Sequence, residues 1–285
     1  MHFLRQRTTV ALIGALLAKM GFSDSMALLK AAEKEVLVMA GSIRMGDAGE
    51  WLVTGVSPDV AAAFLKKHAP WRMEVNFDGM VSSQFGQYEP YNRIPLRKLQ
   101  EILKFVPEAN LRGGQILDIG FNAGYNSLYT AQHYGAKVTG IDIVEKHKRT
   151  AEDLASILGL SVEFMIESAE SFERKDTFDL VMHFGTLYHL ANPVMSIDKC
   201  VRSLKRGGWF ALETVCYRAE RDPAACKWIY GFDGDKTNFW SLGEGAIRSM
   251  VLRTGGITRF EIIVESWPSW YKRKHSRTIW LGKKE

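Results

Sequence analysis

Apolar residues from about position 96 onward recur in two alternating patterns. Short apolar runs predict buried strands, and apolar residues spaced three and four apart predict amphipathic helices between them. The predicted strands are 115–120, 137–142, 162–166, 178–184 and 209–214, and the predicted helices are 96–105, 125–134, one around 151–158 and one around 194–204. Strands that alternate with helices predict a parallel sheet covered on both faces, with right-handed crossovers.

The tail of the chain follows a different pattern. Residues 258–265 and 277–282 both resemble strands, and only 266–276 lie between them. That connection is short for a crossover helix, so an antiparallel pair at the sheet edge is predicted. The expected fold class is α/β, a Rossmann-like doubly wound sheet of residues 96–285.

The first part of the chain is expected to form a helical N-terminal extension, residues 1–70. Its apolar run from Thr9 to Ala18 follows two arginines, as in a signal peptide, but Lys19 interrupts it and no cleavage site follows. The run is too short to span a bilayer, so a core-facing helix is predicted. The glycine-rich stretch 41–55 is interpreted as a loop or short hairpin, and a helix is expected from Pro58 to about residue 67.

Residues 71–95 are rich in aromatic and proline residues without a clear period. Two interpretations have equal weight. The segment is a lid or linker that faces the substrate, with Tyr91 as a candidate contact, or its aromatic rings pack the N-terminal helices onto the core.

Composition narrows the setting of the protein. The 285 residues carry a formal charge of +5, which permits binding of a polyanion without requiring it. Cys200, Cys216 and Cys226 match no metal or disulfide framework, so reduced thiols in a cytoplasmic protein are expected, with no metal and no membrane anchor.

One stretch carries a chemical signature. The run 116–124 has the pattern of a buried strand, a glycine-punctuated turn and a helix start, and the next strand ends on Asp142. Glycines let the backbone approach a ligand, and an acid at the tip of the neighbouring strand can accept from both hydroxyls of a ribose. The sequence therefore predicts a nucleoside cofactor.

The turn Asp118-x-Gly120-x-x-x-Gly124 resembles that of the class I S-adenosylmethionine-dependent methyltransferases, whereas the dinucleotide fingerprint would have three glycines. The resemblance implies a seven-stranded sheet with an antiparallel last strand and S-adenosylmethionine as cofactor. It implies that Asp118 binds the amino group, that the glycines clear space and that Asp142 holds the ribose. Further implied cofactor contacts are Phe121, Asn122, Ile143, Ser168, Ala169 and His183. Ser168 is equally well explained as a cap, and a structural role is preferred for His183.

A second resemblance is carried by the block from Gly185 to Pro193 and by Leu212-Glu213-Thr214. These stretches are similar to the bacterial enzymes that modify the wobble uridine of transfer RNA, the 5-hydroxyuridine carboxymethyltransferases and their relatives. In those enzymes two lysines help hold the carboxylate of a carboxylated cofactor. Both look absent here, from 70–73 and 87–91, so ordinary S-adenosylmethionine is inferred. Arg277 matches an arginine near the substrate, so the site can still receive an anion.

Candidate catalytic groups follow the fourth strand. His189 is expected to act as a base towards a hydroxyl acceptor, and Tyr188 is expected to orient substrate or cofactor. The alternative is a structural role for either residue. The aromatic segment 217–245 is expected to cap the acceptor pocket.

The predicted function is methyl transfer to a hydroxyl of a small, aromatic-type acceptor. Modification of the transfer RNA wobble uridine is the alternative, and a non-enzymatic partner protein is a third hypothesis. The oligomeric state stays open, with a homodimer among the options.

Overall fold

The computed structural model describes residues 41–46, 50–71, 74–84, 98–218, 222–231, 235–266 and 275–285. The predicted helices of residues 1–40 lie outside this part of the chain. In chain order the described strands are β1 (Ser42–Met45), β2 (Trp51–Thr54), β3 (Val75–Phe77), β4 (Met80–Val81), β5 (Gln115–Ile119), β6 (Lys137–Asp142), β7 (Glu163–Ile166), β8 (Phe178–Phe184), β9 (Leu204–Tyr217), β10 (Cys226–Trp228), β11 (Trp240–Gly243), β12 (Ile257–Ser266) and β13 (His275–Lys284).

The described helices are α1 (Pro58–His68), α2 (Lys98–Leu103), α3 (Tyr125–Tyr134), α4 (Glu145–Ile157), α5 (Pro193–Ser203) and α6 (Glu244–Leu252). Single 3₁₀ turns lie at Ser82–Gln84, Glu108–Asn110 and Leu187–His189. In the parts of the chain that the structure describes, no helix is long and apolar enough to cross a membrane.

The central sheet has the predicted mixed architecture. Strands β7, β6, β5, β8 and β9 lie side by side and pair in parallel. Beyond them β13 pairs antiparallel with β9, and β12 pairs antiparallel with β13. Strand β11 pairs in parallel with the end of β9, and β10 pairs antiparallel with β11, so the described sheet has nine strands where seven were predicted. The Rossmann-like α/β class with an antiparallel last strand is confirmed.

Both faces of this sheet are buried, as its apolar runs predict. Neighbouring residues of β5 point to opposite sides, because Ile116 belongs to one hydrophobic core and Leu117 to the other. Helices α3 and α4 bury Leu128 and Leu154 in the first core, and α5 buries Ile197 in the second.

The start of β9 corrects one prediction. This strand was predicted over 209–214, but β9 begins at Leu204 and includes Gly207 and Gly208. The pairing of β9 with β8 is irregular there, because Leu204 opposes Phe178 whereas Trp209 opposes Leu180. A positive φ of 78° at Gly207 accommodates this irregular stretch, since glycine adopts such a conformation at little cost.

The described part of residues 1–70 contains short strands as well as the helix predicted from Pro58. Antiparallel strands β1 and β2 form the hairpin that was weighed for 41–55, and α1 follows them. Strand β3 pairs in parallel with β2 and antiparallel with β4, which makes a second sheet in the described residues. Strands of two to four residues carry too little periodicity to be found by pattern. Strands β2 and β3 lie on either side of residue 70 in the sequence and pair with each other. The boundary between two structural units at residue 70 therefore stays a prediction.

This small sheet and α1 pack on α3 and α4, the helices that follow β5 and β6. Gln132 of α3 accepts from the Ile43 amide at 2.8 Å, and Trp51 stacks on Tyr125 with ring centroids 5.5 Å apart. At the end of α1, His68 lies 2.7 Å from an oxygen of Asp153 on α4. The N-terminal sheet therefore braces both α3 and α4.

Candidate active site

The turn after β5 has a left-handed backbone at three positions. Gly120, Asn122 and Gly124 have φ angles of 70°, 53° and 80°. A β-carbon at Gly120 would collide with the hydroxyl of Thr186, and one at Gly124 would lie 2.8 Å from the β-carbon of Ala151. Both glycines are therefore required by the protein's own packing, in addition to the space that a ligand needs.

Asp118 is buried at the end of β5. One of its oxygens accepts a hydrogen bond of 2.6 Å from the Ser127 hydroxyl on α3. Burial raises the pKa of this carboxyl to about 6, the Ser127 bond opposes the rise, and nearby Asp142 adds to it. A cationic group bound here would favour the ionised form.

Asp142 links the turn after β5 to the turn after β6 through hydrogen bonds. Its Oδ2 accepts from the Asn122 amide at 3.1 Å and lies 3.0 Å from Nδ1 of His147. Its Oδ1 accepts from the Val144 amide at 2.9 Å. These bonds fix the carboxylate at the carboxyl end of β6, where open α/β sheets bind their ligands.

An apolar surface lies beside Asp142. Ile143 is 73% exposed, and Ile166 at the end of β7 is 42% exposed and opposes Asp142 in the strand register. Exposed isoleucines at this edge suit the face of an adenine ring.

Ser168 and Ala169 were expected to contact the cofactor, and in the structure both make other contacts. The Ser168 hydroxyl accepts from the Glu170 amide at 3.1 Å, which makes it a turn cap, and Ala169 is buried in the core. The capping alternative weighed for Ser168 is thus the role that the geometry displays.

Two predicted cofactor side chains lie in the cores. Phe121 is buried and packs on Phe164, with ring centroids 4.7 Å apart. His183 is fully buried, and its Nε2 lies 3.0 Å from the Ser196 hydroxyl of α5. Burial lowers the pKa of His183 to about 4, so the imidazole is neutral near pH 7. Side-chain contact with a cofactor is therefore not supported for either residue.

His189 lies in the 3₁₀ turn that follows β8. Its Nδ1 lies 3.0 Å from the carbonyl oxygen of Thr237, which can only accept. The Thr237 hydroxyl also lies 3.0 Å from Nδ1, but its proton goes to Asp235. In this arrangement Nδ1 carries the proton, and Nε2 holds the lone pair of a base. Asp235 fixes the segment that orients the ring, since its Oδ1 accepts from the Thr237 hydroxyl at 2.6 Å and from the Thr237 amide at 2.9 Å.

Arg277 belongs to a buried cluster of charged side chains beside Tyr188. Its Nε and Nη2 donate to the two oxygens of Glu213 at 2.6 and 2.9 Å, and its Nη1 donates to the Tyr188 hydroxyl at 3.1 Å. Lys98 Nζ lies 2.6 Å from the same Glu213 carboxylate. Glu213 and Arg277 are almost wholly buried, and Lys98 is partly buried.

The positive charges of Arg277 and Lys98 keep the Glu213 carboxylate ionised. Burial alone would raise the pKa of Glu213, but Arg277 and Lys98 hold it below its ordinary value. Burial lowers the pKa of Lys98, while Glu213 opposes that shift. Burial also raises the pKa of Tyr188, so its phenol keeps the proton at neutral pH.

Lys98 is the member of this ion cluster that the sequence analysis missed. The wobble-uridine lysines were sought in 70–73 and 87–91, and the structure brings a different lysine into the site. The available signal was Glu213 itself, because a carboxylate inside an apolar strand requires a buried cation. Tyr91 lies outside the described residues, so its role stays a prediction.

Comparisons with known proteins show similarity to methyltransferases. Residues 117–212, which hold the cofactor turns and the start of the acceptor side, match the family described as "Methyltransferase domain". This part of the chain is therefore similar to a methyltransferase domain. The match supports S-adenosylmethionine as the cofactor, and a structural neighbour was solved with S-adenosylhomocysteine bound.

Two relatives illustrate how wide this methyltransferase group is. The ubiquinone biosynthesis O-methyltransferase of Bordetella avium (strain 197N) is 30% identical over 47% of this chain and 54% of its own length. The tRNA U34 carboxymethyltransferase of Desulfotalea psychrophila (strain LSv54 / DSM 12343) is 32% identical over 41% of this chain and 37% of its own length. The chain spans about half the length, or less, of these relatives.

Solved structures share the methyltransferase fold over most of the chain. The N-terminal domain of EvdMO1 with S-adenosylhomocysteine bound has a TM-score of 0.64 at 17% identity, over 81% of this chain and 98% of that one. The [4+2]-cyclase SpnF has a TM-score of 0.53 at 18% identity, over 68% and 84% of the two chains. This likeness establishes the fold, while the acceptor has to be argued from the site.

Proposed function

We propose that this protein transfers the methyl group of S-adenosylmethionine to a hydroxyl of a small acceptor, with His189 as the general base. The single observation that supports the base is the bond from Nδ1 of His189 to the Thr237 carbonyl. That bond sets the tautomer in which Nε2 can take a proton.

The donor side supports the same proposal through Asp118 and Asp142. These carboxylates stand at the carboxyl ends of β5 and β6, where they can hold the amino group and the ribose of the donor. Methyl transfer is an in-line displacement at a sulfonium, so the leaving thioether needs no acid. The protein chiefly has to position the acceptor oxygen and remove its proton.

Replacement of His189 tests the base. The rate of single-turnover methyl transfer to catechol and other small hydroxyl compounds is measured through the release of S-adenosylhomocysteine. This rate should fall about 100- to 10,000-fold in His189→Ala. Affinity for S-adenosylmethionine should stay unchanged. Met195→Ala, an exposed side chain on neighbouring α5, provides the matched control.

The kinetic outcome is decisive for the role of His189. An unchanged rate in His189→Ala removes it as base. Absence of methyl transfer to every hydroxyl compound tried with the unmodified protein, despite tight donor binding, contradicts hydroxyl methylation and favours the non-enzymatic hypothesis.

One observation favours a second candidate, the (carboxy)methylation of the transfer RNA wobble uridine. Lys98, Tyr188 and Arg277 supply the kind of cationic and phenolic donors that a carboxylated cofactor needs, which weakens the argument from the missing lysines. Binding of transfer RNA should then fall steeply as salt rises, because bound phosphates release counterions. Salt-insensitive activity on small hydroxyl compounds would contradict this candidate.

A further inference from the structure

The segment from Asp235 to Phe239 lies against the 3₁₀ turn that carries His189. The Phe239 amide donates to the Tyr188 carbonyl at 2.9 Å, and the Thr237 carbonyl lies 3.0 Å from Nδ1 of His189. The imidazole also packs on the Tyr188 ring, with ring centroids 4.4 Å apart. The orientation of the His189 ring therefore depends on a segment from a distant part of the chain.

Thr237 presents two oxygens of different chemistry to Nδ1 of His189. Its carbonyl oxygen and its hydroxyl oxygen both lie 3.0 Å from Nδ1. The carbonyl can only accept a hydrogen bond, whereas the hydroxyl can either accept or donate. A hydroxyl that donated to Nδ1 would leave the neutral imidazole with its proton on Nε2, and Nε2 could then not act as a base. The direction of the hydroxyl proton therefore decides which tautomer forms.

Asp235 determines that direction. Its Oδ1 accepts from the Thr237 hydroxyl at 2.6 Å and from the Thr237 amide at 2.9 Å. A hydrogen bond to a carboxylate is about twice as strong as one between neutral groups, so the hydroxyl proton stays with Asp235. The hydroxyl oxygen then acts as an acceptor, and both oxygens of Thr237 favour a proton on Nδ1.

We propose that Asp235 is a positioning residue that acts through Thr237 to hold His189 in the tautomer with the proton on Nδ1 and the lone pair on Nε2. The inference rests on the proposed function, in which His189 is the base. As the acceptor oxygen bonds to the methyl carbon, the carbon–sulfur bond breaks towards sulfur and Nε2 takes the hydroxyl proton. The imidazolium then gives this proton to water, and the bonds from Asp235 through Thr237 restore the same tautomer.

The tautomer of His189 is measured without donor or acceptor. The full chain is prepared with ¹⁵N-labelled histidine, and at about pH 8.5, where an imidazole is neutral, nuclear magnetic resonance shows which ring nitrogen carries the proton. The spectrum of His189→Ala identifies the signals of His189 among the seven histidines. The unmodified chain should carry the proton on Nδ1. In Asp235→Ala the ratio of the Nε2-protonated to the Nδ1-protonated form should rise about tenfold, the factor that one hydrogen bond sets.

A second substitution separates this role from mere support of the segment. Thr237→Val removes the hydroxyl and keeps the carbonyl, which can only accept from Nδ1. Added to Asp235→Ala, it should return the tautomer ratio to within about twofold of the unmodified chain. The rate of methyl transfer should follow the ratio, falling in Asp235→Ala and recovering in the double variant. Removal of the hydroxyl would not repair a loss of support.

Asp222→Ala is the matched control. Oδ1 of Asp222 accepts from the Ala224 amide at 2.8 Å, which is the same kind of turn, but this turn precedes β10 and lies outside the segment at His189. The control should leave the ratio unchanged. Asp235→Asn keeps an oxygen for the Thr237 amide if Asp235→Ala folds poorly. Because a neutral oxygen holds the hydroxyl proton less firmly, the ratio should rise about threefold there.

Four results overturn the proposal. These are a proton on Nε2 in the unmodified chain, an unchanged ratio in the Asp235 variants, the same rise in Asp222→Ala, and no return of the ratio in the double variant. Absence of methyl transfer from a chain that shows the expected tautomers contradicts the proposed function instead, because the tautomer is measured without turnover.

Discussion

The donor side and the acceptor side of this site are built in different ways. On the donor side, Asp142 is held by the Asn122 and Val144 amides, which belong to the turns after β5 and β6, and by His147 in the first turn of α4. On the acceptor side, Glu213 is held by Arg277, 64 positions away, and by Lys98 from a helix before β5. Local backbone turns create the first arrangement, and long-range ion pairing creates the second.

The difference has an energetic meaning. Amide donors near Asp142 are fixed by the turns, so the carboxylate is prepared for a ligand at little further cost. The acceptor cluster instead depends on several charges that are costly to bury and stable only together. A single change should therefore damage the fold on the acceptor side and damage mainly ligand binding on the donor side.

The largest expected effect is on stability and comes from Glu213→Gln. This change leaves Arg277 and Lys98 buried without their shared counter-charge, and we expect a loss of about 3–5 kcal/mol in the free energy of unfolding. Urea denaturation followed by circular dichroism measures it. Glu261→Gln, which removes a half-exposed partner of Arg248, should cost less than about 1 kcal/mol. Similar losses in both variants would contradict the comparison.

The next effect concerns the donor. Asp142→Ala removes the proposed acceptor for both ribose hydroxyls, and calorimetry should show binding of S-adenosylhomocysteine at least about 100-fold weaker, since each hydrogen bond to a charged group is worth about 1.5–3 kcal/mol. Glu152→Ala, on the exposed side of α4, should bind normally. Unchanged binding in Asp142→Ala would remove the ribose assignment.

A smaller effect should follow pH. The pKa of Asp118 is raised to about 6 by burial in the cofactor-free protein. Donor binding through its cationic amino group requires the ionised carboxylate, so affinity should be full above pH 6 and fall about tenfold per unit below it. Affinities measured from pH 5 to 8 should show this bend in the unmodified chain and lose it in Asp118→Asn. A flat dependence in the unmodified chain would place the amino group elsewhere.

The same contrast explains how much of the site the sequence could predict. The bounds of β6 and β8 and of α3 agree with the prediction, because their apolar periodicity is strong and their ends are marked by glycine or aspartate. Gly120, Gly124 and Asp142 lie in the turns where the sequence predicts them, because adjacent residues determine each turn.

Long-range partners left no local signal. Nothing around Lys98 indicates that its amine reaches Glu213, and nothing around Phe121 or His183 shows that their side chains turn into the cores. The aromatic segment 217–245 was expected to cap the acceptor pocket, and its described part contains β10 and β11, which were not predicted. Trp228 stacks there on Phe239, a pairing that only the register of the hairpin brings about.

The bracing of α3 and α4 by the small N-terminal sheet reaches beyond stability. Lys146, in the first turn of α4, donates to the carbonyls of Ala69 and Pro70 at 3.1 and 3.3 Å, and the neighbouring His147 contacts Asp142. A shortened version that begins at residue 98 would keep every donor-side residue yet lose this anchor. The grip on the nucleoside would then weaken through greater freedom of α4, although no contacting group had been removed.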